Sequence, residues 1–300
     1  MNQEYQNDDD LSYVSFDPVV IVPQGFAGEK QPPRNGWYDA FTLRHKTFPD
    51  GQMEVSVTKD KHFNGAALSP FPTNRTKRGE SEERERNDRV AGNKAKQTVR
   101  DRCKQIGADR LVTLTYRENL TDRELALKHW KEFTRRLRKV QHAFHYVAVM
   151  ENQKRGAIHF HIAVHGRQNY QLLRSIWQRV LGKNEAGQQM GQVNVRDPHR
   201  FGFGKNGIHK LAAYIAKYCT KAMDCREIDQ KRFFSSRGIP KPEVVQWRLH
   251  SDDMLGAVNA AVAVAEAGNM EGMTIWCNNA LGIVWIATAP GQHLDSMAPF

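Results

Sequence analysis

The sequence predicts an α+β fold, with a central antiparallel sheet carrying helices packed on one face, a basic N-terminal arm and an α/β C-terminal appendage. Three observations point to it. Short runs with period-two alternation interleave with stretches of helical periodicity. Two of the strand-like runs, His145 to Glu151 and Ala157 to His165, are separated by Asn152-Gln153-Lys154-Arg155-Gly156, a polar stretch ending in glycine that suits a hairpin. No internal repeat points to a solenoid or propeller.

Residues 1–74 are rich in Pro, Gly, Asn and Asp and are expected to be mostly irregular, with Val19-Val20-Ile21-Val22 and Glu54-Val55-Ser56-Val57 as candidate short strands. Residues 75–108 form the basic arm. The stretch 75–104 holds eleven Lys/Arg against six Asp/Glu, with almost no apolar residue before Val90. Glu80 to Arg89 reads as an exposed helix or arm that tracks a phosphate backbone, or as a solvated linker of mixed charge.

The core is expected over 109–242. Arg110 to Tyr116 forms its first strand. Thr121-Asp122-Arg123-Glu124 then reads as a capping box, with Leu120 and Leu125 placed as a hydrophobic staple. The helix it opens runs to about Lys139, burying Leu127, Trp130, Phe133 and Leu137 and ending on Arg135, Arg136, Arg138 and Lys139, which suit the negative helix end. After the hairpin come a helix from Tyr170 to Leu181 and a strand from Gln192 to Val195. The Phe201-Gly202-Phe203-Gly204-Lys205-Asn206-Gly207 loop leads into a helix reaching about Ala222. That loop fails the G-x-x-x-x-G-K-[ST] phosphate-binding pattern, so no ATPase or helicase module is expected. Over 243–300 follow a strand from Val244 to Leu249, a helix from Asp253 to Ala267, and strands Thr274 to Cys277 and Gly282 to Ala287. The core order β-α-β-β-α-β is that of a ferredoxin-like or RNA-recognition-type layout, which leaves the sheet face away from the helices open.

Within the hairpin, His159 and His161 point to one sheet face while Phe160, Ile162 and Val164 point to the core. Neighbouring imidazoles on one face suit a divalent metal. If Glu151 pairs opposite Ala157, it shares that face and sits diagonal to His159, with Cβ atoms roughly 7–8 Å apart. A one-residue slip would carry it to the other face. His165 shares the face at the strand end and reads as a surface histidine rather than a further ligand. In the last core helix, Ile208, Leu211, Ala212, Ile215 and Cys219 form the apolar stripe, and Tyr214 and Tyr218 stack one turn apart at its margin. Lys217 and Lys221 each follow a tyrosine by three residues. Amphipathic tyrosines with snorkelling lysines are the plain reading. The chemical reading is a phenol nucleophile, which at an ordinary pKa near 10 needs help from cations or a metal.

Together these motifs resemble the HUH endonucleases, and among them the two-tyrosine rolling-circle replication initiators of small phages and plasmids. The resemblance rests on Glu151 eight residues before the His159-Phe160-His161 strand and on the Tyr214-x-x-Lys217-Tyr218 helix. Leu111-Val112-Thr113-Leu114-Thr115-Tyr116 and Phe234-Ser235-Ser236-Arg237-Gly238-Ile239-Pro240 add to it, and it spans 109–240. It implies a metal-dependent single-strand DNA endonuclease and strand transferase that nicks a replication origin. His159, His161 and Glu151 would hold Mn²⁺ or Mg²⁺. Tyr214 and Tyr218 would alternate as nucleophiles through a 5′-phosphotyrosyl link, with Lys217 placing phosphate charge or easing phenol ionisation. The implied partners are single-stranded origin DNA and a separate helicase and polymerase, in a bacterial host cytoplasm. The same chemistry serves transposases and relaxases. A non-catalytic RNA-recognition-like module and an iron oxygenase with a two-His, one-carboxylate triad are the readings from other classes.

Composition agrees with a polyanionic partner. The 300 residues carry 44 Lys+Arg against 33 Asp+Glu, a net charge of +11. The four cysteines show no C-x-x-C spacing and read as free thiols. Neither a secretory signal nor a membrane-spanning run is expected.

Overall fold

The computed structural model describes residues 33–65, 81–153, 156–196, 207–221, 230–249 and 253–290. They form a mixed α+β protein with two antiparallel five-stranded sheets, as the α+β prediction requires. The described residues within 1–46, 54–67 and 244–288 make one compact unit, and those within 47–53, 68–243 and 289–300 make another. No helix among the described residues is long and apolar enough to cross a membrane.

In the first unit the strand order is β8-β1-β2-β10-β9, with β1 at Gly36–Thr47, β2 at Met53–Asn64, β8 at Glu243–Leu249, β9 at Asn269–Asn278 and β10 at Ile283–Ala289. Strand β10 pairs with β2 from Ile283↔Thr58 to Ala287↔Glu54. Phe41, Leu43, Val55, Val57, Val284 and Ile286 point to one face, where the alanines of α5 (Met254–Ala265) cover them. Small side chains let that helix lie close to the sheet. Asp253 caps it by accepting from the Leu255 and Gly256 backbone N–H groups.

Two expectations are corrected. Residues 1–74 were expected to be mostly irregular, yet 36–47 and 53–64 are twelve-residue strands. Ala40, Phe41, Thr42 and Leu43 are all buried, so β1 lacks the in–out alternation that marks a half-exposed strand. The basic stretch 75–108 is not a free arm over its length: α1 spans Arg84–Gln105 and buries Val99 and Cys103 in the second unit.

The second unit has strand order β6-β3-β5-β4-β7, built from β3 (Arg110–Tyr116), β4 (Tyr146–Asn152), β5 (Ile158–Val164), β6 (Gly191–Arg196) and β7 (Phe234–Ser235). Helices α2 (Arg123–Val140) and α3 (Tyr170–Leu181) pack on one face over Val112, Leu114, Ala148, Met150, Phe160 and Ile162. Trp130 of α2 stacks on Phe160, with centroids 5.0 Å apart and planes 15° apart. The opposite face does not stay open as expected: α1 and α4 (Gly207–Lys221) lie over it. The stripe Leu211, Ala212, Ile215 and Cys219 requires an apolar partner and finds it in Val147, Val149, Ala163, Val99 and Cys103. The central strand β5 is therefore buried along its whole length.

The cap of α2 also differs from the expected Thr121 box. Asp122 is the N-cap and accepts from the Leu125 N–H at 3.0 Å. The Phe234–Pro240 segment closes the sheet edge: β7 pairs with Val147 and Ala148 of β4, and the Ser236 hydroxyl accepts from the Tyr146 N–H.

Candidate active site

The site begins at the β4–β5 ladder. Glu151 pairs directly opposite His159, and Val149 opposite His161. The expected partner of Glu151 was Ala157, so the register differs by two residues. An even offset preserves the face, and Glu151, His159 and His161 project to the same side. The longer ladder arises because the turn tightens around Gly156, whose φ of +86° suits glycine and whose N–H donates to the Gln153 carbonyl.

His161 Nε2 lies 2.7 Å from Glu151 Oε2, with both side chains about nine-tenths buried. The contact is a hydrogen bond to a neutral imidazole and an ion pair to a protonated one. On the other ring edge, Nδ1 stands 3.4 Å from the hydroxyl of Thr113, its ladder partner on β3. An Nε2–H that donates to the carboxylate leaves Nδ1 to accept from Thr113. The Gln153 amide lies 3.1 Å from His159 Nδ1. Thr113 and Gln153 were not among the residues singled out from sequence. Period-two alternation along β3 places Thr113 on this face, and it was the available signal.

Helix α4 lays both tyrosines over this surface because the stripe that buries Leu211, Ile215 and Cys219 turns its margin toward β5. The Tyr218 ring lies flat on His161, with centroids 4.9 Å apart and planes 12° apart, and Tyr214 meets the same imidazole edge-on at 6.0 Å. The Tyr218 hydroxyl donates to the Tyr214 hydroxyl at 2.8 Å. Lys217 Nζ sits 5.0 Å from the Tyr214 ring centre and 5.3 Å from that of Tyr218. Burial, then the bond to Tyr214 and the nearby Glu151 charge, hold the Tyr218 phenol protonated well above its ordinary range.

The structure thus gathers Glu151, His161, Tyr214, Lys217 and Tyr218 into one cluster, with His159 beside them on the same strand face. His165 stays outside: it is exposed, and its Nδ1 bonds the Gly107 carbonyl. The Lys221 side chain and the 201–206 part of the glycine loop lie outside the described residues. Two imidazoles and a carboxylate are donor types that a divalent ion such as Mn²⁺ accepts. Among the described residues, however, no three His, Cys, Asp or Glu side chains stand in an arrangement that could hold a metal ion. Here His161 and Glu151 hold each other instead.

Fold and cluster define an α+β protein with a tyrosine–histidine–carboxylate site on its sheet. Residues 109–223 match the model of a family of replication-associated proteins, the ORF2 type. That span contains every residue of the cluster, and the match supports a role in replication initiation. No curated protein and no solved structure matches the chain.

Proposed function

We propose that the protein is an HUH-type, metal-dependent single-strand DNA endonuclease and strand transferase that opens a replication origin. The observation that carries the reading is the pair of phenol oxygens 2.8 Å apart, with one ring stacked on a histidine that is itself bound to a carboxylate. A packed core has no need of that arrangement, and phosphoryl transfer to tyrosine does.

In this reading the Tyr214 oxygen gives up its proton and bonds to the scissile phosphorus. The bond from phosphorus to the 3′ oxygen breaks, and that oxygen takes a proton to become the free 3′-hydroxyl that primes synthesis. The 5′ phosphate stays on the protein as a phosphotyrosine ester. Its bond energy is kept, so rejoining needs no nucleotide cofactor. Tyr214 is the first nucleophile because it is the less buried of the two and receives the Tyr218 hydrogen bond, which stabilises a phenolate at the receiving oxygen. Lys217, over both rings, favours the same anion. Tyr218 serves the second cleavage while Tyr214 is esterified. His159, His161 and Glu151 are the residues that would hold Mn²⁺ or Mg²⁺, and the ion would supply Lewis-acid polarisation of the phosphate. The active partners would be single-stranded origin DNA together with a separate helicase and polymerase.

Incubation with labelled single-stranded oligonucleotides and Mn²⁺ or Mg²⁺ tests the reading. A protein–DNA adduct that survives a denaturing gel is expected, lost with chelator, with His161→Ala and with the double Tyr214→Phe/Tyr218→Phe variant. DNA binding without any adduct under these conditions would instead indicate a non-catalytic binding module.

A further inference from the structure

Away from the tyrosines, on the other face of the same sheet, a groove of about 450 Å³ runs along α3 and the turn that follows it. Its wall on α3 is the face made by Gln171, Arg174, Ser175, Gln178 and Arg179, which recur at helical spacing. The opposite stripe, Leu173, Ile176 and Trp177, is buried in the core, so these polar side chains are turned outward by the packing itself. At Gly182 the chain takes φ +77° and leaves the helix, and a short antiparallel bridge pairs Lys183 with Gln189 to complete the groove.

The lining has a particular chemistry. Three cations face the groove with amides and a hydroxyl, and neither a carboxylate nor an aromatic ring lines it. Other arginines of this unit are compensated: Arg135 and Arg136 by Glu132, Arg110 by Asp109, Arg232 by Asp88. Arg174, Arg179 and Lys183 have no ion pair or side-chain hydrogen bond among the described residues. Uncompensated cations flanked by neutral donors suit phosphate oxygens. Unpaired strands are gripped by stacking on rings, and none is offered here. Protein partners are anchored by buried aromatic or aliphatic side chains, and the groove offers none of these either.

We infer that this groove binds the phosphate backbone of double-stranded DNA flanking the single-stranded stretch cut by the tyrosines. The inference rests on the nickase reading for the identity of the nucleic acid. The topology supplies a path. Strand β6, against which α3 packs, is a sheet edge, and it is separated from the histidine strand β5 by β3 alone. The lateral step from β5 to the edge is roughly 10 Å, so DNA rounding that edge reaches the groove within a few nucleotides.

The test uses the full chain and two labelled probes, a short single-stranded oligonucleotide and the same oligonucleotide joined to a duplex stem. Replacing Arg174, Arg179 and Lys183 together with Ala is expected to weaken binding of the stemmed probe roughly tenfold at moderate salt. The slope of log affinity against log salt should fall by about three, one for each lost phosphate contact. Binding and nicking of the stemless probe should stay at wild-type level, and R174K/R179K/K183R should restore stem affinity. A triple-alanine variant with unchanged affinity and salt slope on the stemmed probe overturns the inference and turns attention to an acidic protein partner. Equal losses on both probes overturn it too, since they would reflect general electrostatics. Absence of nicking by the wild type, with stem binding still lost in the variant, would count against the nickase reading alone.

Discussion

Tyr218 is only 7% exposed, whereas Tyr214 is partly buried, so two tyrosines that look equivalent one turn apart in sequence have different surroundings. The difference has a kinetic consequence under the nickase reading. Tyr214→Phe is expected to abolish the first nick. Tyr218→Phe should slow it by roughly tenfold, the value of one charge-assisted hydrogen bond to the developing phenolate. Single-turnover adduct formation by each variant measures this, and equal rates for both would show that the hydrogen bond sets no order. Tyr116 and Tyr146 follow the same physics in the core. Burial raises both phenols above the ordinary value of 10, against a smaller opposing effect of Arg138 on Tyr146. The unfolded chain sheds these protons near pH 10 while the folded chain keeps them, so the stability they carry is complete below that pH and drains away above it. Urea midpoints should therefore fall as pH rises past about 10, and the Tyr116→Phe/Tyr146→Phe variant should flatten that fall.

Among the elements, β5 shows what a sequence can reveal. Its alternation separates His159 and His161 from Phe160 and Ile162, and the structure keeps that division. The pairing of β4 with β5 was not legible to the residue, because offsets of zero and two put Glu151 on the same face and satisfy the same pattern. Strand β1 was illegible for a different reason: burial on both sides at 40–43 erased its alternation. In α1, charge masked packing. Val99 and Cys103 are single apolar positions in a strongly basic stretch, and only their contact with α4 gives them meaning. The tyrosine stripe of α4 was readable, but the surface beneath it was not, since helix periodicity says which side is buried and is silent on what buries it. Behind the histidine strand stands α2, whose Trp130 meets Phe160 flat and Tyr146 edge-on at 5.4 Å. Trp130→Ala is expected to cost about 3–5 kcal/mol, the range for emptying a buried aromatic site. Denaturant melts of the full chain give the number, and a loss under about 1 kcal/mol would mean that this core collapses around the missing ring.

For the whole molecule, chain order and spatial order diverge. The family match at 109–223 lies inside the second unit, whereas the first draws its strands from both sides of that span. Strands β1 and β2 come before it, and β8, α5, β9 and β10 come after it. A chain ending at Glu243 would therefore keep the tyrosine–histidine cluster and both apolar clusters of the second unit. It would strip β1 and β2 of β10, which pairs with β2 along five residues, and of α5, which covers Phe41, Leu43, Val55 and Val57. An isolated two-stranded hairpin is marginal in water, and this one would carry a bare apolar face. Hydrogen exchange on the shortened chain should show protection lost over 36–64 and kept over 110–196, with adduct formation on single-stranded oligonucleotides retained and binding of an apolar dye increased. If protection disappeared from β3, β4 and β5 as well, the second unit would depend on the first for its folding. The two would then constitute one cooperative domain, with the catalytic chemistry tied to both ends of the chain.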